Sequence, residues 1–273
     1  MNDAVLTLLL ALAGIFVGAL GTLVGAGGGF LIVPALALWR PEMLPESITA
    51  VSLLVVACNA ASGSVKYIRD KKVDFRAGWV FAGAAIPGSL LGVLAVAAIS
   101  RGAFDLALGA LMLIGAALIL LRARGMHVEG IPTPTARTLT LGAALSAVVG
   151  FLASLLGIGG GIMHVPALMY ILRFPAHRAV ATSHFVLALT ALVAVATHLA
   201  RHDYTGLWWL ALPLAAGAVI GAQIGARLSK HVSGRGIALT LAIIMVSVGV
   251  RAVWRGVTRQ DRPEPSTATP AHP

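Results

Sequence analysis

The residues with the clearest capacity for chemistry are two glycine-rich pentads, GAGGG at residues 25–29 and GIGGG at residues 157–161. Each is followed at the same spacing by a proline, Pro34 or Pro166, inside an apolar stretch. Because glycine weakens helices and lets other groups approach the backbone, each pentad predicts a helix break. A helix that restarts after the break presents unpaired N–H groups and a positive dipole end, and both attract anions. The expected anion-binding glycines are Gly25, Gly27, Gly28, Gly29, Gly157, Gly159, Gly160 and Gly161.

The pentads also admit a purely structural interpretation, in which small residues let membrane helices touch. We assign that role to the small-x-x-x-small pairs elsewhere in the chain, namely Gly14, Gly18, Gly88, Gly92, Gly221 and Gly225. A phosphate-binding P-loop is excluded, because neither pentad is followed by Lys-Ser or Lys-Thr. For the pentads themselves, anion binding and close packing stay open as alternatives.

Polar side chains inside apolar stretches are the next candidates, because they can hydrogen-bond a ligand where water is absent. The substrate ligands expected beside the glycines are Ser52, Asn59, Thr182 and Ser183. His164 and His184 are the candidates for proton coupling, since histidine changes charge near neutral pH. The alternatives are hydroxyls bonded to their own helix and histidines that stay neutral in the core.

The acidic residues bear on the charge of the substrate. All ten carboxylates fall in predicted loops, tails or span ends. Ionisable groups at mid-membrane usually mark a cation or proton path, so a cation carrier is disfavoured. No His, Cys or carboxylate cluster has the spacing of a metal site, and a single cysteine, Cys58, excludes a disulfide framework. We therefore predict neither a metal nor another cofactor.

The elements that position these residues are membrane helices. Of the 273 residues, 58% are apolar and 11% charged, and the mean hydropathy is +0.92. Since about 20 apolar residues cross a bilayer as a helix, we predict an all-α polytopic membrane protein with about eight transmembrane helices in two homologous repeats. Its centre holds glycine-broken or re-entrant arms. The spans are expected at 4–24, 47–66, 76–99, 102–121, 138–156, 178–200, 206–229 and 236–254, and the arms at 25–39 and 157–172.

The chain is internally duplicated. A shift of 132 residues superimposes the pentads and the Val-Pro-Ala-Leu that follows each, and shifts of 131 and 133 align later features, including Ser52 with Ser183. The predicted division is a first repeat at 1–121, a linker at 122–137, a second repeat at 138–254 and a disordered basic, Pro-rich tail at 255–273. Duplicated halves with interrupted helices are typical of secondary transporters, whose substrate site lies between the repeats near the midplane.

The charge distribution predicts location and orientation. The net charge of +10 is spread over short loops and a basic C-terminal end, which is typical of a multi-pass inner-membrane protein and not of nucleic-acid binding. With Asp3 and no Lys or Arg before it, the first span is expected to be retained. With eight crossings, thirteen Lys and Arg against seven favour cytoplasmic termini. With re-entrant arms the repeats are inverted, and a thirteen-to-seven split instead places the termini outside, so the loop charges alone do not decide and the basic C-terminal end favours cytoplasmic termini.

The two Gly-x-Gly-Gly-Gly arms followed by VPAL, the segment AVATSHF at 179–185 and the duplicated eight-span layout resemble the TauE/SafE sulfite-exporter family, also called TSUP. The resemblance covers about residues 4–254 and implies a secondary transporter of sulfur-containing or organic anions, coupled to protons. Positions that match the repeated motif are the eight pentad glycines, Pro34, Pro166, Ala181, Thr182 and Ser183. In the first repeat, Val51 and Leu53 stand in place of Thr182 and His184, so the two halves need not contribute equally.

Together these patterns predict a secondary active transporter that moves a small anion across the inner membrane, with one repeat rocking against the other. The expected substrate is sulfite, sulfoacetate or another organosulfonate or organic acid, and the expected surroundings are membrane lipid. The sequence decides neither the direction of transport nor the oligomeric state. Open alternatives are an anion channel, a partner subunit and a membrane-embedded enzyme that uses Ser183 and His184. Adjacent helical residues point about 100° apart, which disfavours the enzyme.

Overall fold

The computed structural model describes residues 2–123, 135–170, 173–228 and 234–260, and in these ranges the chain is helical with no β-strand. These ranges contain ten helices, separated by short loops or by residues outside the described ranges. They are α1 (Asp3–Val24), α2 (Gly29–Trp39), α3 (Pro45–Arg69), α4 (Phe75–Val96), α5 (Arg101–Ala123), α6 (Ala136–Leu155), α7 (Gly161–Tyr170), α8 (Ala176–Ala200), α9 (Trp208–Leu228) and α10 (Gly234–Gln260).

Eight of these helices are long and two are short, which confirms the all-α polytopic fold with about eight spans. The predicted spans correspond to α1, α3, α4, α5, α6, α8, α9 and α10, and the arms correspond to α2 and α7. Seven helices within the described ranges are long and apolar enough to cross a membrane. Large apolar side chains such as Leu8, Phe16 and Leu91 are exposed on their outer faces, where lipid covers them.

Each helix break occurs at a glycine pentad, as expected. Helix α1 ends at Val24, and Gly25 follows with a left-handed φ of 84° that other residues rarely adopt. Helix α2 then starts at Gly29, so Pro34 lies inside the new helix and does not interrupt it. Pro166 has the same place inside α7. The glycines, and not the prolines, cause the breaks.

The directions of the helices show that the two repeats are inverted. Two pairs of helices that are equivalent under the repeat, α1 with α9 and α4 with α6, run parallel. In each pair, residues later in one helix contact residues later in the other. These contacts are Gly14 on Leu214, Gly18 on Ala218, Gly88 on Ala147 and Gly92 on Phe151. Helices α5 and α10 run antiparallel, because Gly109 contacts Gly249 while Gly256 contacts Gly102. Since α5 and α10 are equivalent helices of the two repeats but run in opposite directions, the second repeat crosses the membrane in the opposite sense.

The short helices are re-entrant. Gly28 lies against Val17, so the chain turns back beside α1 after the first pentad. Trp39, at the end of α2, packs edge-to-face on Trp209 at the start of α9, with ring centroids 6.5 Å apart. Because α9 runs parallel to α1, the start of α9 is on the side where α1 begins. Helix α2 therefore returns from mid-membrane to that side, and α3 starts there.

Two sides of the molecule follow from this topology. The terminal side carries the start of α1, the end of α10 and the loops at 40–44, 97–100 and 201–207. The linker side carries the loops at 70–74 and 173–175 and the ends of α5 and α6 that flank residues 124–134. All five tryptophans are exposed and lie near one side or the other, as expected of an interfacial aromatic belt: Trp39, Trp208, Trp209 and Trp254 on the terminal side, and Trp79 on the linker side.

The two arms cross in direct backbone contact at the centre. A methyl group added to Gly29 would lie 2.6 Å from the carbonyl oxygen of Gly157, and one added to Gly161 would lie 2.0 Å from that of Gly25. Under the 132-residue shift these two contacts are equivalent, so the crossing lies on the pseudo-two-fold axis. Close packing is thus one role of the pentads, and any anion-binding role has to coexist with it.

The helix ends refine the predicted division of the chain. Helix α10 continues to Gln260, so the first six residues of the predicted tail at 255–273 are helical. Helices α5 and α6 extend into the predicted linker at 122–137, of which residues 124–134 lie outside the described ranges. The rest of the predicted tail, residues 261–273, also lies outside them.

The arm crossing can be tested by adding one methyl group. Gly161→Ala is expected to lower the stability by about 1–3 kcal/mol, because the new Cβ meets the rigid carbonyl oxygen of Gly25. The thermal midpoint of the purified protein in detergent measures this. Gly83→Ala is the control, since nothing lies within 4 Å of its added Cβ and helix propensity favours alanine. Equal midpoints for the two variants would contradict the crossing.

Candidate functional site

The starts of α2 and α7 lie at the arm crossing and carry unpaired backbone donors. The N–H groups of Gly29 and Phe30, and those of Gly161 and Ile162, find no acceptor within the described ranges. All four residues are buried. The first N–H groups of a helix have no partner in the helix itself, and the dipole adds positive potential there. The centre of the protein therefore offers donors, without a formal charge, to an anionic or oxygen-rich ligand.

A small cavity of about 20 Å³ adjoins the start of α7. It is lined by residues of α4, α6, α7 and α8, namely Ala85, Ser146, Val149, Gly150, Ala153, Gly160, Gly161, His164, Ser183, Val186, Leu187 and Thr190. None of these residues is a carboxylate, a lysine or an arginine. The volume suffices for about one water-sized group. The second arm thus begins beside a mostly apolar cavity that a few polar side chains line and that is too small for larger ligands in this conformation.

Ser183 contributes the cavity's free hydroxyl. Its side chain is completely buried, and its Oγ has no hydrogen-bond partner among the described residues. A buried hydroxyl without a partner is costly in an apolar interior, so it normally marks a place where a ligand or water binds. Ser183 is one of the predicted substrate ligands, and it lines the same cavity as Gly160 and Gly161 of that prediction.

His164 lines the same cavity and is oriented by Ser146. The Oγ of Ser146 donates its single hydrogen to the carbonyl oxygen of Gly142, one turn earlier, at 2.7 Å. The same Oγ lies 2.9 Å from Nε2 of His164 and must accept there. Nε2 therefore carries a hydrogen, and Nδ1 is the nitrogen of a neutral His164 that can accept a proton.

His184, the other histidine proposed for proton coupling, has different surroundings. It is fully buried, packs edge-to-face on Tyr67 with ring centroids 5.4 Å apart and lies against Gly63 of α3. Neither ring nitrogen makes a regular hydrogen bond within the described ranges. The carbonyl group of Val180, one turn earlier in α8, lies close enough to interact with the ring. His184 does not line the cavity, and it forms no nucleophile–base pair with Ser183.

The three other polar residues predicted as ligands are bonded within the protein. Ser52 donates to the carbonyl oxygen of Gly157 at 2.6 Å and so fastens α3 to the second arm. Asn59 donates to the carbonyl oxygen of Gly18 at 2.8 Å and accepts from the Thr22 hydroxyl at 3.1 Å. Thr182 accepts from a backbone N–H of the α3–α4 loop at 3.1 Å. None of the three lines the cavity.

Contacts between the repeats close both sides of the central region. On the linker side, Asp74 caps α4 and pairs with Arg178 of α8 at 2.8 Å. On the terminal side, the Tyr204 hydroxyl of the α8–α9 loop donates to the carbonyl oxygen of Ala50 at 2.9 Å. Burial raises the pKa of Tyr204 well above its usual range, so this donor stays protonated. Each closing loop comes from one repeat and rests on the start of a helix from the other.

Ser146 is the site residue that the sequence interpretation missed. It occupies the position equivalent to Gly14 in the first repeat. An alignment of the two repeats, searched for positions where one has a polar residue and the other a small residue, would have found it. A metal centre is not indicated within the described ranges, since no three His, Cys, Asp or Glu side chains come together there.

Comparisons with known proteins agree with this architecture. A family model described as sulfite exporter TauE/SafE matches residues 10–252. The chain is similar to the probable membrane transporter protein YunE of Bacillus subtilis (strain 168), with 29% identity covering 91% of this chain and 98% of that protein. It is also similar to a probable membrane transporter protein of Xylella fastidiosa (strain 9a5c), with 28% identity covering 87% and 90%. A third relative, from Methanocaldococcus jannaschii, has 26% identity covering 89% and 93%.

No solved structure shows a significant match to the chain. The alignments cover 90% or more of the length of each of these relatives.

The role of Asn59 can be separated from substrate binding. Asn59→Ala is expected to destabilise the protein by about 1–3 kcal/mol, because buried backbone and hydroxyl groups of α1 lose their partner. The thermal midpoint in detergent should fall, while the KM for a transported anion, measured at a temperature where the variant is folded, should change less than about twofold. Thr197→Ala is the control, since that hydroxyl bonds only to its own helix. A large rise in KM with an unchanged midpoint would make Asn59 a ligand instead.

Proposed function

The chain belongs to the sulfite exporter TauE/SafE family, and from this premise we propose that it is a secondary active transporter of a small anion. The substrate is a sulfur oxyanion, an organosulfonate such as sulfoacetate, or a related organic acid. It binds near the arm crossing, where peptide N–H groups replace its water. The protein works in the inner membrane, and no covalent catalysis is involved.

The observation that carries the proposal is the coincidence of free backbone donors with an absence of negative charge. The unpaired N–H groups of α2 and α7 lie at the arm crossing in the middle of the fold. Every carboxylate in the described ranges lies in a loop or near a helix end: Asp3, Glu42, Glu46, Asp70, Asp74, Asp105 and Asp203. A cation or an ammonium group would find no counter-charge there, whereas an oxyanion would find donors.

Proton coupling is assigned to His164. Its Nε2–H is held by Ser146, which leaves Nδ1 to take up a proton beside the cavity that Gly160 and Gly161 also line. A protonated imidazole there would stabilise a bound anion, and loss of the anion would favour loss of the proton. His184 is the less suitable of the two predicted carriers, because it lies on α8 away from the cavity.

Alternating access follows from the two closing contacts. Breaking the Asp74–Arg178 pair would free the start of α8 on the linker side, and breaking the Tyr204–Ala50 bond would free the start of α3 on the terminal side. Because the two loops are repeat equivalents, one repeat rocking against the other opens one side while the opposite contact stays formed.

Orientation in the membrane comes from the inverted topology and the basic residues. Of the Lys and Arg in the described ranges, eleven fall on the linker side: Lys66, Arg69, Lys71, Lys72, Arg76, Arg122, Arg137, Arg173, Arg178, Arg227 and Arg235. Six of them fall on the terminal side: Arg40, Arg101, Arg201, Arg251, Arg255 and Arg259. By the positive-inside rule the linker side is cytoplasmic and both termini are outside. This replaces the expectation of cytoplasmic termini that the eight-crossing count favoured.

Thiol labelling in intact cells tests this orientation. In a Cys58→Ala background, Thr205→Cys should react with a membrane-impermeant maleimide added outside, because residue 205 is exposed on the terminal side. Ala136→Cys, exposed at the start of α6, should react only after the cells are permeabilised. The reverse pattern would place the termini in the cytoplasm.

Transport itself is tested in proteoliposomes. Labelled sulfite and sulfoacetate should show saturable uptake that a pH gradient changes, and choline should not be taken up. Protein-free liposomes give the leak. A current that does not saturate with anion concentration would indicate a channel, and an absence of flux for every sulfur oxyanion, sulfonate and organic acid tried would refute the transporter.

A further inference from the structure

Two equivalent serines, one in each repeat, differ in their hydrogen bonding. Ser52 and Ser183 correspond under the 131-residue shift, and both are completely buried. Ser52 donates to the carbonyl oxygen of Gly157 in the opposite arm at 2.6 Å. The equivalent acceptor for Ser183 would be Gly25, yet the Ser183 hydroxyl has no partner within the described ranges. The two-fold symmetry is therefore broken at this pair of equivalent serines.

The surroundings of the two serines differ in the same way. The cavity beside Ser183 is lined by Ser146, His164 and Thr190. The equivalent positions in the first repeat hold Gly14, Ile32 and Asn59. Ile32 cannot hydrogen-bond through its side chain, Gly14 has no side chain, and the amide of Asn59 is already engaged with α1. The polar side chains that surround this pair of serines are thus concentrated in the second repeat.

The free hydrogens around the cavity are donors to an acceptor ligand. Ser183 Oγ–H and the N–H group of Gly161, both on the cavity wall, have no acceptor among the described residues. Thr190 is not a further donor, because its hydroxyl is bonded to the carbonyl oxygens of Val186 and Leu187 in its own helix. The cavity volume of about 20 Å³ matches a single oxygen atom. A sulfonate or sulfite oxygen fits both the donors and the space.

We propose that the transported anion binds at one asymmetric site in the second repeat, where Ser183 donates to an anion oxygen, and that Ser52 only fastens the arms. The inference rests on the proposed function and locates its substrate. The rest of the anion extends towards the arm crossing, and the repeats separate to admit it. One chain then carries one anion per cycle, although its motif occurs twice.

The matched pair Ser52→Ala and Ser183→Ala tests the proposal. Ser183→Ala should raise the KM for sulfoacetate in proteoliposomes about tenfold or more, because a hydrogen bond to a charged group is lost, and should leave the thermal midpoint within a few degrees of wild type. Ser52→Ala should lower the midpoint, because the Gly157 carbonyl loses its donor, and should change KM less than about twofold. Equal KM changes in the two variants, or a change confined to Ser52→Ala, would overturn the single-site model.

A binding measurement keeps this test independent of transport. Sulfoacetate should raise the thermal midpoint of the wild-type protein in detergent, and this shift should disappear in Ser183→Ala and persist in Ser52→Ala. Ser183→Thr, which keeps the hydroxyl, should recover part of the shift. If wild type transports and binds anions but Ser183→Ala retains the full shift, the cavity holds only water and the inference fails. If wild type neither binds nor transports any anion tested, the proposed function itself fails.

Discussion

An unpaired peptide group is costly in hydrocarbon, and the fold is organised around two places where such groups occur. At each break the chain leaves one helix and starts another in mid-membrane, so the first N–H groups of α2 and α7 cannot be bonded within their helices. The structure keeps lipid away by crossing the two arms, with Gly29 on Gly157 and Gly161 on Gly25. Any Cβ at these contacts would push the arms apart. The glycines thus make the break possible and also bury it.

The long helices supply the enclosure that the crossing requires. Helices α3 and α8 are mostly buried and lie against the arms, whereas α1 is mostly exposed to lipid. Glycine contacts draw α9 onto α1 and α6 onto α4, so that backbones pack closely around the centre. Inversion of the repeats brings the two breaks to the same depth from opposite directions. Parallel repeats would place both short helices on the same side and leave no crossing.

Much of this architecture could be predicted from the sequence, because it depends on residue types with strong local effects. The pentads predicted the breaks, and the apolar runs predicted the spans within a few residues. Re-entrance could not be decided, because an arm of about 15 residues fits either a return or an onward path and apolar composition carries no direction. Direction became clear only from contacts distant in sequence, such as Trp39 on Trp209.

The site was harder to predict than the fold. The sequence gives the type of a polar residue in a span but does not show whether its side chain faces a ligand or a backbone carbonyl group. Ser52 and Ser183 are equivalent in sequence, yet only one is bonded. By residue type Asn59 could bind a ligand, but in the structure its amide is bonded to Gly18 and Thr22 of α1. His164 and His184 were indistinguishable as titratable residues, and the helix face on which each lies separated them. Ser146 was not predicted, because the equivalent position in the first repeat is a glycine, Gly14, and the pair therefore shows no shared polar residue.

The unequal closing contacts have an energetic consequence for the resting state. If the two repeats were identical, the inward-open and outward-open forms would be related by symmetry and would have the same free energy. In this chain one side is held by a charged pair, Asp74 with Arg178, and the other by a neutral bond from Tyr204. Salt weakens the first much more than the second. Under the proposed alternating access, the equilibrium between the two forms is therefore tilted, and the ionic strength on the linker side helps to set by how much.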